Sequence, residues 1–315
     1  MSSKFTDYRL MAPVLGCCPS QHTEAWMSFY PSFSLRRASA DAMPGRAHDI
    51  GEGFRALHFS EAMFEGRMDP LIMVDHYVMT EHTFDAHPHA GISAVSLLLE
   101  DAQGDFVNRD TLGNHVALKP GDLYWLMAAR GAVHEERPGQ ADARIHGLQI
   151  FVNLPAARKF EAPQAFHVKA GEMPVLEEAG YRVRLAHGRS GATQGPRGAP
   201  EDITILEGRL DPNGAFAHDL PGDFGAWIYA IDGAFTVARA DWRWTVDKGK
   251  ALALTPSGAA ANLVITSGEG ARFAVISARP LRERFVKHGP LVMSTEADVR
   301  ATLEDYAAGR LGRLD

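Results

Sequence analysis

The feature that most constrains the fold is a rhythm of short apolar runs separated by turn-forming residues. From Gly51 to about Asn153 the runs follow one another closely, with turn signals such as Leu112-Gly113-Asn114 and Lys119-Pro120-Gly121-Asp122 between them. Short strands at this spacing are typical of β-sandwiches and small β-barrels. The first half of the chain is therefore predicted to be all-β.

The same rhythm returns after a region rich in glycine and proline. Residues 189–200 hold too much Gly and Pro for a strand or a helix interior, so they are expected to end a linker. Beyond it, strands are predicted at Ile203–Leu206, Gly225–Ile231 and Ala251–Leu254. The second region is interpreted as a weak copy of the first, which predicts two tandem barrels.

The two ends of the chain differ from this pattern. Residues 1–46 are polar, punctuated by proline and without periodicity, so they are expected to be an extension, either an arm or a disordered tail. Near the other end, Val299, Leu303 and Tyr306 recur at helical spacing between Thr295 and Gly309, which predicts a terminal helix. Its apolar stripe is expected to pack on a barrel, with a partner-binding role as the alternative. The predicted organisation is an extension (1–46), a first, metal-binding barrel (47–160), a linker with the strands leading onward (161–200), and a second, metal-free barrel with the helix (201–315).

Composition and charge exclude several classes of protein. A chain of 315 residues with 45% hydrophobic and 23% charged residues can bury a core in each of two domains. The net charge of −7, without a run of Lys or Arg, argues against direct nucleic-acid binding. Adjacent Cys17 and Cys18 close no useful disulfide loop, and no stretch is apolar for the roughly 18 residues that a membrane span needs. We expect a cytoplasmic protein without a membrane segment.

Two short motifs bring together residues that can bind a metal. In His87-Pro88-His89 and in His134-Glu135-Glu136 the outer residues lie two apart, so on a strand they point to the same side. The second motif follows a Pro-Gly-Asp turn and the apolar run Leu123–Met127, which can bring it back opposite the first motif. His87, His89, His134 and Glu136 are therefore the predicted ligands of one mononuclear divalent metal ion.

The ligand types indicate which metal and what kind of site. Three imidazoles and a carboxylate suit Fe(II), while Mn, Co, Ni, Cu and Zn accept the same ligands. Four protein ligands leave positions open for water, dioxygen or a chelating substrate, unlike a closed structural zinc site. The alternative is that these are ordinary polar residues, with Glu136 paired to a surface arginine. The other strand-region histidines are expected to be structural or exposed, with His76 and His82 as candidate outer hydrogen-bond partners of the ligands: His76, His82, His115 and His146.

From about Asp69 onward the sequence resembles the pirin family of the cupin superfamily. The resemblance is carried by these segments: Asp69–Asp75, His87-Pro88-His89, Arg109–Gly113, Pro120-Gly121-Asp122, Gly131–Glu136, Val152–Pro155, Leu281-Arg282-Glu283 and His288–Thr295. It implies a fold of two cupin barrels and an iron site formed by His87, His89, His134 and Glu136. It also implies one of two functions: flavonol (quercetin) 2,3-dioxygenase activity on a small aromatic substrate, or transcriptional coregulation through a protein partner.

These implications give three hypotheses. In the first, a flavonol-like substrate chelates Fe(II) through a hydroxyl that the metal acidifies, and Glu136 accepts the proton. In the second, the chain is a redox- or metal-responsive interaction protein. In the third, ranked last because the ligand set is complete, it is a storage or sugar-binding protein with an empty barrel.

Two positions depart from the family pattern. Ala90 stands where pirins usually carry Arg, and Ser93, expected on the ligand face, stands where they usually carry Glu. We expect metal binding to survive both changes, whereas the loss of pocket residues slightly favours the interaction hypothesis. In the second copy, alignment of Gly121 with Gly249 places Asn262 opposite His134, and only His218 remains on the early strand, so this copy is expected to be metal-free.

Overall fold

The structure is a computed structural model that describes residues 41–198 and 202–314. Cys17, Cys18 and most of the predicted extension lie outside the described residues. The α-helix of the described chain, α1, spans Glu296–Ala307. At twelve residues it is too short to cross a bilayer, and no other described helix is long and apolar enough to do so.

Strands dominate the first half of the described chain. Their bounds are β1 Met43–Pro44, β2 Arg46–Ile50, β3 Phe54–Ser60, β4 Leu71–Met79, β5 His87–His89, β6 Ile92–Leu98, β7 Phe106–Asp110, β8 His115–Leu118, β9 Leu123–Met127, β10 Ala132–Pro138, β11 Ile145–Asn153 and β12 Gln164–Val168. A seven-stranded sheet has the order β12-β9-β6-β11-β4-β3-β2, and a four-stranded sheet the order β5-β10-β7-β8. Together they form the first barrel.

The second half repeats this arrangement. Its strands are β13 Val175–Glu178, β14 Tyr181–His187, β15 Arg189–Ser190, β16 Thr193–Gln194, β17 Ile203–Leu210, β18 Gly214–Leu220, β19 Gly225–Gly233, β20 Phe235–Arg239, β21 Trp242–Val246, β22 Lys250–Leu254, β23 Ala261–Ser267, β24 Ala271–Ala278, β25 Val286–His288 and β26 Leu291–Met293. Short 3₁₀ helices span Glu61–Phe64, Ala156–Arg158 and Ala170–Glu172. The large sheet has the order β1-β22-β19-β24-β17-β14-β13, and the small one β18-β23-β20-β21.

The strand orders confirm the predicted all-β fold and show the duplication. The run β9-β6-β11-β4-β3 of the first large sheet corresponds to β22-β19-β24-β17-β14 of the second, and β5-β10-β7-β8 corresponds to β18-β23-β20-β21. The three strands predicted after the linker fall within β17, β19 and β22. The terminal helix is also confirmed: Thr295 caps its N-terminus, and Gly309 with φ of +73° follows its end.

Strand register corrects one detail of the predicted duplication. In the first barrel, His134 lies opposite the last residue of β7. In the second, Leu263 lies opposite the last residue of the equivalent strand β20. The counterpart of His134 is therefore Leu263, and the alignment with Asn262 was wrong by one residue. A shift of one residue matters because it moves every side chain of a strand to the other face.

The segment 161–200 contributes strands to both barrels. Strand β12 joins the first large sheet beside β9, whereas β13 and β14 form an edge of the second. Residues 189–194 were expected to stay out of strands, and that expectation is wrong, because β15 and β16 pair in a two-residue ladder. Strand β1, which precedes the first barrel in the sequence, joins the second large sheet beside β22.

The two large sheets pack against each other to form the core between the barrels. Side chains from the first sheet, such as Trp125 and Leu148, lie in one buried cluster with Trp227 and Ile276 from the second. The opposite faces of the same sheets line the two barrel interiors, which hold separate apolar clusters. Because both faces of each large sheet are buried, the strands read as nearly continuous apolar runs.

The C-terminal segment crosses back to the first barrel. Strands β25 and β26 form a hairpin in which Leu291 bridges to Ala90, and α1 packs on this hairpin through Val299 and Leu303, while Tyr306 is exposed. Beneath it, the fully buried Lys159 donates hydrogen bonds to the carbonyls of Gly91 (3.1 Å) and Val292 (2.6 Å) and to Oδ1 of Asn153 (2.6 Å). Burial lowers the pKa of Lys159 to about 8.

Replacing this lysine should loosen the C-terminal segment. The Lys159→Met variant keeps the apolar stem but removes the ammonium group from three buried acceptors, of which the carbonyl of Gly91 still accepts from the N–H of Leu154. We expect the free energy of unfolding to fall by about 2–3 kcal/mol, measured by urea denaturation. The matched control is Lys169→Met at an exposed lysine, which should change it by less than about 0.5 kcal/mol. Equal stability of the two variants would contradict a stabilising role for the hydrogen bonds of Lys159.

A chain of polar side chains also joins the barrels. The hydroxyl of Tyr229 lies 2.6 Å from Nδ1 of His76, whose Nε2 lies 2.7 Å from Nε2 of His146, and Nδ1 of His146 lies 2.9 Å from Asp101. Since His146 donates through Nδ1 to the carboxylate, its Nε2 accepts from His76, and His76 Nδ1 accepts from Tyr229. Both histidines are structural residues at the barrel interface, one of the two roles expected for them, although His76 lies in the middle of a strand and not on a turn or strand end. Neither supports the metal ligands.

The hydrogen-bonded network of Tyr229, His76, His146 and Asp101 makes the free energy of unfolding depend on pH. Burial, and next the neighbouring His146, lower the pKa of His76 to about 3, from 6.5 in the unfolded chain. The contribution of His76 to the free energy of unfolding is complete above pH 6.5. It is lost as the pH falls below 6.5, because His76 takes up a proton in the unfolded chain and stays neutral in the folded chain. Between pH 6.5 and 5 we expect unfolding free energy to fall by roughly 1–2 kcal/mol more than in His76→Asn, measured by urea denaturation at each pH. In His115→Asn, at an exposed histidine, the full pH dependence should remain.

Candidate metal centre

Strand pairing brings the three predicted histidines to one point inside the first barrel. Strands β5 and β10 are antiparallel neighbours, with His134 directly opposite His87 and Ala132 opposite His89. The i, i+2 spacing in β5 places both of its imidazoles on the same face. His89 and His134 are almost fully buried, whereas His87 retains some exposure.

The ring nitrogens converge at distances that suit a shared ion. Nε2 of His134 lies 2.9 Å from Nε2 of His89 and 3.2 Å from Nε2 of His87, and one ligand atom of each residue lies within 4.8 Å of the others. Nitrogens that bind zinc at about 2.0–2.1 Å, with angles near 90°, lie roughly 3 Å apart. The three imidazoles are therefore placed like one face of a metal's coordination sphere.

Hydrogen bonds at the far side of two rings fix their orientation. Nδ1 of His87 donates to the carbonyl of Asp85 at 2.9 Å, and Nδ1 of His89 donates to that of Pro290 at 3.4 Å. These tautomers leave bare Nε2 lone pairs facing the centre. Burial lowers the pKa of all three imidazoles, those of His89 and His134 well below the usual value. Neutral rings with converging lone pairs are the form that binds a cation, so the residues fit a divalent metal.

Glu136 is buried beside this centre but is held by other side chains. Its Oε1 accepts hydrogen bonds from Oγ of Ser96 and from Nδ2 of Asn108, the latter at 2.7 Å. Burial raises the pKa of Glu136 to about 7, and the two hydrogen bonds oppose the rise. The carboxylate is not within the 4.8 Å cluster of the three imidazoles. Its role as a fourth ligand therefore stays a prediction.

The neighbouring acid lies on the other face of the strand, as the spacing predicts. Glu135 bonds to Arg109 at 2.9 Å and lies 3.3 Å from Nε2 of His82. The surface pairing with an arginine that was the alternative for Glu136 thus belongs to Glu135. His82 contacts the Glu135 carboxylate and the carbonyl of Phe84, and neither of these groups is a predicted ligand.

Ala90 and Ser93, the two departures from the family pattern, lie away from the side of the barrel wall that carries His87, His89 and His134. Gly91, with φ of +72°, turns the chain between β5 and β6, so alternation does not continue from His89. Ser93 shares its strand face with Val95 in the core between the barrels, whereas Ser96 faces Glu136. The expectation that Ser93 lies on the ligand face is therefore wrong. Ala90 is also not at a pocket rim, because it is fully buried against Leu291 and its neighbours in the C-terminal segment.

Two aromatic rings flank the imidazoles. The ring centroid of Phe151 lies 4.9 Å from that of His89, and that of Phe84 lies 6.3 Å from that of His87. Phe84, His87 and Phe151 are partly exposed, so the centre reaches the surface on this side. An apolar wall next to a metal-binding face suits a flat organic ligand.

Sequence reasoning missed the residues that hold the site in place. Ser96 and Asn108 orient Glu136, and the carbonyl of Pro290 orients His89. Ser96 is the one polar residue inside the apolar run Ala94–Leu99, which was a usable signal. For Pro290, 201 residues away from His89 along the chain, no local signal exists.

Comparison with known proteins agrees with this architecture. The family model for Pirin matches residues 45–152, and the model for the Pirin C-terminal cupin domain matches residues 205–312. The chain belongs to the pirin family. A pirin relative from Pseudomonas aeruginosa, named "Putative quercetin 2,3-dioxygenase", is 31% identical over 85% of this chain and 95% of its own.

Solved structures show the same fold. A quercetin 2,3-dioxygenase from Acinetobacter baumannii superimposes with a TM-score of 0.76 at 22% identity, covering 88% of this chain and 100% of that one. A bacterial pirin from Escherichia coli, solved in complex with nickel(II), superimposes with a TM-score of 0.58 at 16% identity, covering 76% and 98%. At these identities the likeness establishes the two-cupin fold alone.

Removing one imidazole should remove one ion. His134→Ala deletes the ring that both other histidines face, so we expect one bound divalent ion per chain fewer than in the unsubstituted protein. Metal analysis after equilibrium dialysis measures this, and circular dichroism checks the fold. His115→Ala, at an exposed histidine, should bind as much metal as the unsubstituted chain. Unchanged metal content in His134→Ala would contradict the site.

Proposed function

We propose that this pirin-family chain is a metal-dependent dioxygenase of the quercetinase type, acting on a flavonol-like or other chelating aromatic substrate. The observation that carries the proposal is the convergence of three neutral imidazole rings next to a buried carboxyl group, with a partly exposed aromatic ring beside two of them. The name of the P. aeruginosa relative supports the same reaction class.

His87, His89 and His134 would hold the metal, with Glu136 as the proposed fourth ligand. Fe(II) is the metal we favour, and Mn, Co, Ni, Cu or Zn suit the same donors. Nickel(II) in the E. coli pirin shows that a relative of this fold accepts a divalent ion of this series. Bound there, the metal would supply Lewis acidity toward a chelating hydroxyl and a position for dioxygen.

Glu136 is the group of this chain that is suited to move a proton. In the metal-free chain, burial raises the pKa of Glu136 to about 7, so this carboxyl group exchanges a proton near neutral pH, as a general base must. Ser96 and Asn108 both donate to Oε1 and so restrict the rotation of the carboxyl group. We propose that they present Oε2 to the substrate side.

The aromatic rings would position the substrate. Phe84 and Phe151 lie at the partly exposed side of the centre, where a flat ring system could pack against them. Such packing would exclude water from the carboxyl group and the hydroxyl that it deprotonates. Apolar walls discriminate by shape and not by a specific polar contact, which suits a class of aromatic substrates.

Quercetin with the Fe(II)-loaded chain tests the proposal. We expect dioxygen uptake matched by carbon monoxide release, measured with an oxygen electrode and gas chromatography. Glu136→Gln should lower kcat about 10²-fold or more, because the amide cannot accept the proton. Its metal content, measured in parallel, separates loss of the base from loss of a ligand. Absence of turnover in the metal-loaded, unsubstituted chain with flavonols and with other chelating aromatic compounds would overturn the proposal.

The rival hypothesis was a metal-responsive interaction protein. It drew support from the loss of pocket residues at Ala90 and Ser93, but neither position lies on the imidazole face. No observation among the described residues now favours it over catalysis. A pull-down with Fe(II)-loaded, Fe(III)-loaded and metal-stripped protein would still detect a partner that responds to the metal.

A further inference from the structure

A second group of metal-binding side chains lies on three neighbouring strands of the first large sheet. His48 on β2, His58 on β3 and Asp75 on β4 each offer one ligand atom, and these atoms lie within 4.8 Å of one another. His58 is directly opposite Asp75, and His48 is displaced from His58 by two residues along the antiparallel pair. The even spacing places all three side chains on one face of the sheet.

The geometry within this group is compact. Nδ1 of His58 lies 2.6 Å from Oδ1 of Asp75. The rings of His48 and His58 stand edge to face, with centroids 6.0 Å apart and an interplanar angle of 89°. Two imidazoles at right angles and a carboxylate can converge on one ion after small rotations of the side chains.

A simple ion pair does not use all of these groups. Asp75 is only 8% exposed, and its bond to His58 is the one side-chain hydrogen bond that it makes within residues 41–198 and 202–314. In the same part of the chain, the His48 ring contacts Phe54 and His58 but makes no side-chain hydrogen bond. The exposed His48 ring and the carboxylate lone pairs of Asp75 that do not accept from His58 are thus both available to a cation.

We propose that His48, His58 and Asp75 form a second binding site for a divalent transition-metal ion. Two nitrogens and one oxygen select Zn²⁺, Co²⁺, Ni²⁺, Cu²⁺ or Fe²⁺ over Mg²⁺ and Ca²⁺, which prefer all-oxygen ligands. Three protein ligands leave further positions to water or to an external ligand. The exposed side of His48 gives the ion a path from solvent.

The site is separate from the imidazole cluster. Across the sheet, Ser96, Gln149, Asp75 and His58 lie opposite one another in successive strand pairs. Three strand spacings of about 4.8 Å put roughly 14 Å between Ser96, which contacts Glu136, and His58. Asp75 and His58 are thus two and three strand spacings from Ser96, too far for the two groups of ligands to form one dinuclear centre, whose ions lie about 3.5–4 Å apart.

An ion here would fasten the edge of the sheet. Among the strands that the structure describes, β2 pairs with β3 alone, and it follows directly on β1, which is paired with the second barrel. Ligands from three strands would tie β2 to β3 and β4, and so tie the segment that connects the barrels. Metal binding to the folded chain then raises its melting temperature.

Metal stoichiometry tests the proposal. The full chain, without an affinity tag and stripped by a chelator, is dialysed against Zn²⁺ and its metal content is measured. We expect two ions in the unsubstituted protein, one in His89→Ala, one in Asp75→Asn and none in the double variant. Asp75→Asn can keep the hydrogen bond to His58, and His48→Asn alters an exposed ring, so neither should unfold the chain. His115→Ala should still bind two ions.

The outcomes separate this site from the proposed dioxygenase centre. Loss of one ion in both Asp75→Asn and His48→Asn, with Zn²⁺ no longer raising the melting temperature of the His89→Ala background, supports the second site. It does so even if quercetin is not a substrate. The same number of ions in Asp75→Asn, His48→Asn and the unsubstituted chain would overturn it, whatever happens at His89.

Discussion

The burial of both faces of the two large sheets is the constraint on which the rest of the structure depends. Along β6, Leu97 faces the second barrel, while Leu98 faces the interior of its own. Each sheet therefore needs the other barrel to cover its outer face, and the duplication is a condition for burying either sheet. The four-stranded sheets close the interiors on the other side, and the imidazoles lie on one of them.

The two barrels share the same arrangement of strands but carry different residues at the positions of the metal ligands. By strand register, His218 is the counterpart of His87, whereas the positions of His89, His134 and Glu136 are filled by apolar residues in the second barrel, namely Leu220, Leu263 and Ile265. His218 bonds to Ser190 and Ser277 instead, and burial lowers its pKa to about 4. The interior of the second barrel is thus an apolar core with one hydrogen-bonded histidine, whereas that of the first combines an apolar cluster with three neutral imidazoles and a buried carboxyl group.

The sequence could predict the features that depend on the alternation of side chains along a single strand. The spacing of His87 and His89, and of His134 and Glu136, specified a shared face because two residues is the repeat of a strand. The same reasoning failed for Ser93, because the turn at Gly91 carries the chain into a different sheet and resets the alternation. It also failed by one residue at Asn262, where the register depends on turn lengths that identity between the copies is too weak to fix.

Contacts between distant parts of the chain were out of reach for a different reason. The bond from His89 to the carbonyl of Pro290 depends on where the C-terminal hairpin docks, and that docking depends on Lys159 and on a side-chain-free turn at Gly91. A Cβ atom at Gly91 would come within 1.8 Å of the carbonyl oxygen of Val292. Such close backbone approach is visible only once the fold is assembled.

The crossing of the C-terminal hairpin has a consequence for how the protein matures. During synthesis the histidines of the first barrel leave the ribosome long before Pro290, so a nascent first barrel holds its imidazoles without the acceptor that orients His89. Its metal affinity is then that of an incompletely organised ligand set. If the chain binds the proposed ion, ion capture and the docking of the last residues would be thermodynamically linked, so that each favours the other. An ion at this centre would then stabilise the docked C-terminal hairpin as well as the first barrel.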